Sequence, residues 1–135
     1  MTAPYPPNSG RTPRERTSNP SHFDFSALKA RWAAQREASA RLSTQLLDRT
    51  EREGAAVFRR YRATKAIVFG SLAEGRARTR SDIDLVVFGT DPADYWALRR
   101  DLEDAFGRPV DLHTESDDPR FVARAVAQGK VVYAA

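Results

Sequence analysis

The chain contains no cysteine, a single methionine and only two histidines, His22 and His113. Disulfides, thiolate metal sites and a cysteine nucleophile are therefore excluded, and two imidazoles are too few for a histidine-rich zinc centre. No apolar run approaches the ~18 residues that a membrane-spanning helix needs. The first residues lack the apolar stretch of a secretory signal. The expected location is the cytoplasm, with no membrane partner. Lysine is scarce as well: Lys29, Lys65 and Lys130 stand among 22 basic residues, the rest arginine, against 18 acidic ones. The net charge of +4 invites a nucleic-acid reading. The charge is segregated, however. Asp24 to Arg80 carries 13 basic and 6 acidic residues, whereas Asp91 to Asp118 carries 3 basic and 9 acidic. An arginine bias of this kind is weak support for phosphate binding, and direct nucleic-acid contact is not expected.

The 135 residues, 41% of them hydrophobic, suffice for one domain with a modest core. Residues 1–22 hold Pro4, Pro6, Pro7, Pro13 and Pro20 among Ser, Thr, Asn, Gly and Arg. They read as a disordered, basic, proline-rich tail. Residues 23–62 read as a helical segment, since Leu28, Trp32, Leu42, Leu46, Val57 and Tyr61 recur at about 3.6 residues or small multiples of it. Asp24 or Ser26 would cap its start, and Gly54 permits either one long helix or two with a break at that point. Its apolar stripe is expected to pack on the chain's own core, with a homo-oligomer through this helix as the alternative.

Residues 63–135 form the expected core domain. Ala66–Phe69 and Ile83–Phe88 are short apolar runs ended by glycine, the pattern of buried strands. Asp91 and Pro92 open a helix with Tyr95, Leu98, Leu102 and Phe106 on one face and Gly107 as its stop. Val110–His113 is a third strand. Asp117 and Asp118 are expected to cap a last helix that starts at Pro119 and buries Phe121, Val122, Ala125 and Val126. Val131–Tyr133 adds a final strand. Trp32 and Trp96 read as packing residues. The fold class is α+β (α/β-like): a small mixed sheet flanked by helices, preceded by an extended helical segment.

The chemistry lies in Gly70–Leu85, GSLAEGRARTRSDIDL. In a strand, residues i and i+2 share a face and lie about 6.6 Å apart. Asp82 and Asp84 would thus stand side by side, while Ile83 and Leu85 point into apolar packing. Adjacent carboxylates repel unless a cation lies between them, and oxygen-only ligands suit a hard ion such as Mg²⁺. Gly70 lets the backbone approach a phosphate, and the Ser71 hydroxyl adds a donor. If the Val110–His113 strand lies beside Ile83–Phe88, Asp111 joins the same face as a third carboxylate. Three carboxylates can hold two metals about 4 Å apart, the arrangement for in-line phosphoryl or nucleotidyl transfer. Ser81 reads as a turn cap, with orienting Asp82 as the lesser reading, and counts with Gly70 and Ser71 as a nucleotide contact. Arg76, Arg78 and Arg80 lie where they would neutralise phosphates or a partner protein's acidic face, or remain solvated. Glu74 reads as an exposed glutamate. His113 reads as a surface strand residue, with catalysis as the lesser reading.

Gly70-Ser71, ten residues, then Asp82-x-Asp84 resembles the signature of the DNA polymerase β-like nucleotidyltransferase superfamily. With Gly75 and SDIDL, and with PVDLH and G-x-V-V-Y downstream, the stretch from Ala66 to about Tyr133 resembles the minimal nucleotidyltransferases, antitoxin partners of HEPN-domain toxins. That resemblance implies a nucleotidyltransferase fold in which Gly70 and Ser71 grip the triphosphate. Asp82 and Asp84 would ligate two Mg²⁺ ions, and Asp111 would bind the catalytic metal and activate the acceptor. It further implies ATP as substrate and a HEPN-type partner protein whose tyrosine hydroxyl receives AMP. Two alternatives stand beside this enzyme reading. One is a non-catalytic, nucleotide-binding module that silences its partner by occlusion. The other is a nucleotidyltransferase acting on an aminoglycoside-like small molecule.

Overall fold

The computed structural model describes residues 24–135, so the proline-rich stretch 1–22 lies outside the described residues. Two units are present, one ending at Ala34 and one running from Gln35 to Ala135. The elements in chain order are helix α1 (Ser26–Arg60), strand β1 (Lys65–Phe69), the single turn α2 (Gly70–Ala73), strand β2 (Ile83–Phe88), helix α3 (Tyr95–Phe106), strand β3 (Val110–Thr114), helix α4 (Pro119–Gln128) and strand β4 (Lys130–Ala134). The architecture is α+β, a four-stranded mixed sheet with helices around it. Its strand order is β3-β2-β1-β4, with β1 antiparallel to both β2 and β4, and β2 parallel to β3.

Helix α1 starts where the Asp24 carboxylate accepts a hydrogen bond from the Ser26 N–H at 2.9 Å. It runs unbroken through Gly54. The reason is packing. A Cβ at Gly54 would lie 2.7 Å from Phe58 Cε2 and 3.2 Å from Phe106 Cζ, so the glycine lets two fully buried rings approach the helix backbone. The buried stripe is Ser43, Leu46, Thr50, Gly54, Val57 and Phe58, spaced for one helical face. Half of it is small or polar. Thr50 satisfies its hydroxyl on the Leu46 carbonyl at 2.7 Å. Trp32, expected to pack, is half exposed.

The sheet core is built from Ala66, Ile67 and Val68 of β1 and Ile83, Leu85, Val86 and Val87 of β2, all 1% exposed or less. Central strands covered on both faces favour such β-branched runs. Leu98, Leu102 and Phe106 bury one face of α3 at the expected spacing. The helix begins later than expected, because Asp91 caps a 3-10 turn (Pro92–Asp94) by accepting from the Ala93 N–H. Trp96 also departs from expectation: it is 70% exposed, with the Arg99 guanidinium 5.6 Å from its ring. Asp118 alone caps α4, by accepting from the Arg120 N–H at 3.2 Å. Ala125 is the one buried residue of that helix; Phe121 and Val122 are half-buried and Val126 is exposed. A four-stranded sheet leaves the outer side of an edge helix uncovered, and periodicity alone does not reveal that.

Candidate active site

The sheet order brings the carboxylates together. Parallel pairing of β2 with β3 sets Asp84 directly opposite Asp111, and antiparallel pairing sets Phe69, the last residue of β1, opposite Asp84. Gly70 follows at once with φ +73, a conformation that side-chain-bearing residues rarely adopt. A Cβ there would collide with Asp84 Oδ2. The glycine is therefore required twice, by the backbone turn and by the carboxylate beside it. The Ser71 hydroxyl has no hydrogen-bond partner among the described residues, which leaves it available to a ligand. The carbonyls of Gly70, Ser71 and Leu72 are occupied by the N–H groups of Glu74, Arg76 and Gly75.

Asp82 is placed differently from expectation. It stands one residue before β2 and is exposed, so the strand's i, i+2 rule does not by itself fix its side chain. What fixes the approach to β2 is a set of tethers. The Ala77 N–H, fully buried, donates to Ser43 Oγ of α1 at 2.9 Å. Ser81 closes the turn, accepting on Oγ from the Arg78 N–H at 2.8 Å and donating its own N–H to the Arg78 carbonyl at 2.9 Å. Arg108 Nη1 donates to the Ser81 carbonyl at 3.0 Å, and the Ile83 N–H to the Pro109 carbonyl at 3.0 Å. Ser81 thus performs the turn-capping role that was one of its readings. Ser43 and Arg108 carried no sequence signal: one is a serine in a helix, the other an arginine among many. Arg76 pairs with Glu74, while Arg78 and Arg80 form no ion pair among the described residues.

Strand β3 is anchored just as firmly. The Val110 N–H donates to Glu103 Oε2 at 2.9 Å, and the Tyr95 hydroxyl donates to the Leu112 carbonyl at 2.7 Å. Asp111 and His113 share a face two residues apart, and His113 Nε2 lies 3.2 Å from Asp111 Oδ1. On its other side, His113 Nδ1 lies 2.8 Å from Asp117 Oδ2. Asp117 is therefore bound to the imidazole and does not cap α4.

The electrostatics follow from this crowding. Burial, then the neighbouring Asp111 and Asp82 carboxylates, push the Asp84 carboxyl up to about 6 from the ordinary 3.8; nearby His113 opposes the rise. Among the described residues no group of three or more His, Cys, Asp or Glu side chains is placed to hold a metal ion. The donor set is nevertheless one a hard divalent ion fits: oxygens only, on carboxylates that resist joint ionisation in the absence of a cation. The recess beside Gly70, lined by Phe69, Glu74, Phe121 and Arg124 among others, is small, near 160 Å³.

A paired-carboxylate face beside a glycine turn, on a short mixed sheet, defines a nucleotidyltransferase fold. The sequence profile of the family described as "Polymerase beta, Nucleotidyltransferase" matches residues 55–135. The chain belongs to this family and is a nucleotidyltransferase. No protein of curated function matches it in sequence. Among solved structures, it resembles a chain of a toxin–antitoxin complex with AMP-PNP at 25% identity and TM-score 0.55, over 63% of this chain and 73% of the other. It also resembles a chain of an MntA–HpeT toxin–antitoxin mutant at 24% identity and TM-score 0.56, over the same shares. A third likeness is to a complex from Shewanella oneidensis, a tri-AMPylated HEPN toxin with its MNT antitoxin. Here identity is 23% and TM-score 0.51, over 66% of this chain and 73% of the other. At these identities the last two speak for the fold alone. Among the described residues no helix is long and apolar enough to cross a membrane.

Proposed function

We propose that the protein is a Mg²⁺-dependent adenylyltransferase that moves AMP from ATP to a tyrosine hydroxyl of a HEPN-type partner, and so acts as that partner's antitoxin. The observation that carries this reading is the registry of Asp84 with Asp111 on adjacent parallel strands, next to the Gly70 turn. The AMP-PNP-bound toxin–antitoxin structure, similar at 25% identity, supports the nucleotide and the kind of partner.

Gly70 and Ser71 would receive the triphosphate, through close backbone approach and the unengaged hydroxyl. Asp82, Asp84 and Asp111 would hold Mg²⁺, which when bound supplies charge neutralisation for the phosphates and acidifies the acceptor hydroxyl. Asp111, the most exposed of the strand carboxylates, would take the proton from the acceptor. The hydroxyl oxygen then bonds to the α-phosphorus, the bond to the bridging oxygen breaks, and pyrophosphate leaves with that electron pair. Asp84, half-buried behind the turn, would remain an ionised ligand throughout.

The test is to mix the protein with a candidate HEPN-type partner and ATP, and to look for AMP on the partner by mass spectrometry. Asp111→Asn should lower transfer ~10²-fold to 10⁴-fold, the usual scale for losing a general base, while ATP-analogue affinity changes little. If Asp111→Asn silences the partner with no AMP attached, occlusion is the function and the enzymatic reading fails.

A further inference from the structure

We propose that His113 is a positioning residue: it holds the Asp111 carboxylate in place and is itself locked by Asp117, Phe69 and Phe121. The inference rests on the reading above, in which Asp111 serves the transfer. The imidazole lies between two carboxylates, 3.2 Å from Asp111 and 2.8 Å from Asp117. Its faces are packed as well. The Phe121 centroid lies 4.5 Å away and the Phe69 centroid 5.5 Å away, edge-on. Phe69 and Phe121 in turn meet at 5.1 Å, nearly perpendicular. Asp117 is itself tied back, since it accepts a second bond from the Thr114 N–H at 3.3 Å. The end of β1, the turn after β3 and helix α4 therefore all fix the orientation of one ring.

Asp111 lacks such support. Its side chain is 55% exposed, and the carboxylate opposite it, Asp84, is a like charge. Besides Asp84, whose carboxyl shares a hydrogen bond with it, the side chain beside it is the His113 imidazole, with Nε2 3.2 Å from Oδ1. Without the imidazole beside it, repulsion from an ionised Asp84 and the entropy of a free rotamer both favour swinging the carboxylate out to solvent. Groups that orient metal-binding carboxylates commonly change metal affinity or activity 10–100-fold when removed, though they never touch the metal. The division of labour at the β3–α4 turn agrees: Asp118 caps the helix, which leaves Asp117 for the imidazole.

The experiment measures single-turnover AMP transfer and, separately, Mn²⁺ affinity with no nucleotide present. It compares wild type, His113→Ala, Asp111→Asn and the double variant, each checked for folding by thermal melting. His113→Ala should lower transfer and Mn²⁺ affinity by about 10-fold or more, with ATP-analogue affinity within about twofold. In the Asp111→Asn background, removing His113 should change neither quantity, because its effect runs through Asp111. Asp117→Asn keeps a hydrogen-bonding side chain of the same shape beside Nδ1 and should retain most of the function, whereas Asp117→Ala should copy His113→Ala. That pair carries the test if His113→Ala fails to fold. Additive losses in the double variant, or a silent His113→Ala beside a damaging Asp111→Asn, would overturn the positioning role alone. A silent Asp111→Asn would overturn the proposed function and this inference with it.

Discussion

Replacing Asp84 by Asn should make the metal-free protein more stable at pH 8, although Asp84 is central to the site. The folded-state value of about 6 lies above the ordinary 3.8, so the folded protein binds this proton more tightly than the unfolded chain. The stability that this one group contributes is therefore fully present below pH ~4, is lost as pH rises from about 4 to 6, and stays absent above that. Unscreened, the gap between the two values would amount to about 3 kcal/mol. Asp84 is only half-buried, and solvent screening brings the expected cost to about 1–2 kcal/mol. Asparagine has the same shape, fits beside Gly70 and presents an N–H to Asp111 where the wild type presents a second charge. The gain should appear as a melting temperature roughly 5–10 °C higher for a folded unit of this size. The assay is thermal unfolding followed by circular dichroism, in EDTA, at several pH values from 4 to 8. The advantage should shrink as pH falls below 6 and vanish near 4. Excess Mg²⁺ should then stabilise the wild type and leave the variant unmoved, by mass action on a site only the former retains. An asparagine variant no more stable than wild type at pH 8, or one equally advantaged at pH 4, would refute the charge-crowding argument.

Two further substitutions probe the turn and the helix. Gly70→Ala forces a side chain into the left-handed region, at roughly 1–2 kcal/mol, and into Asp84 Oδ2. Urea unfolding should show a loss of about 1–3 kcal/mol together with abolished transfer; a fully active variant would place the nucleotide elsewhere. Gly54→Ala should gain up to about 1 kcal/mol of helix propensity yet lose stability overall, because overpacking against buried rings costs about 1–3 kcal/mol. A raised denaturation midpoint with unchanged slope would show that Phe58 and Phe106 can move aside.

The amino-acid sequence alone determined the elements and their chemistry. Hydrophobic runs closed by glycine marked β1 and β2, Asp-Pro pairs marked the starts of the 3-10 turn before α3 and of α4, and Gly70-Ser71 with Asp82 and Asp84 marked the acidic face. These are local signals, carried by residues within a turn or two of one another. Which strands are neighbours is a different kind of fact. Only the order β3-β2-β1-β4 sets Asp111 opposite Asp84 across a parallel ladder, because pairing is decided by burial on both faces of the sheet. The roles of Ser43, Gly54, Asp117 and Arg108 were equally hidden. Each acts through a partner distant in sequence or through space that a side chain would fill, and neither leaves a periodic trace. Asp82 falls between the two cases. Its spacing from Asp84 is written in the sequence, but the strand begins one residue later, at Ile83, where the tethers from α1, Arg108 and Pro109 end and the ladder with β3 starts.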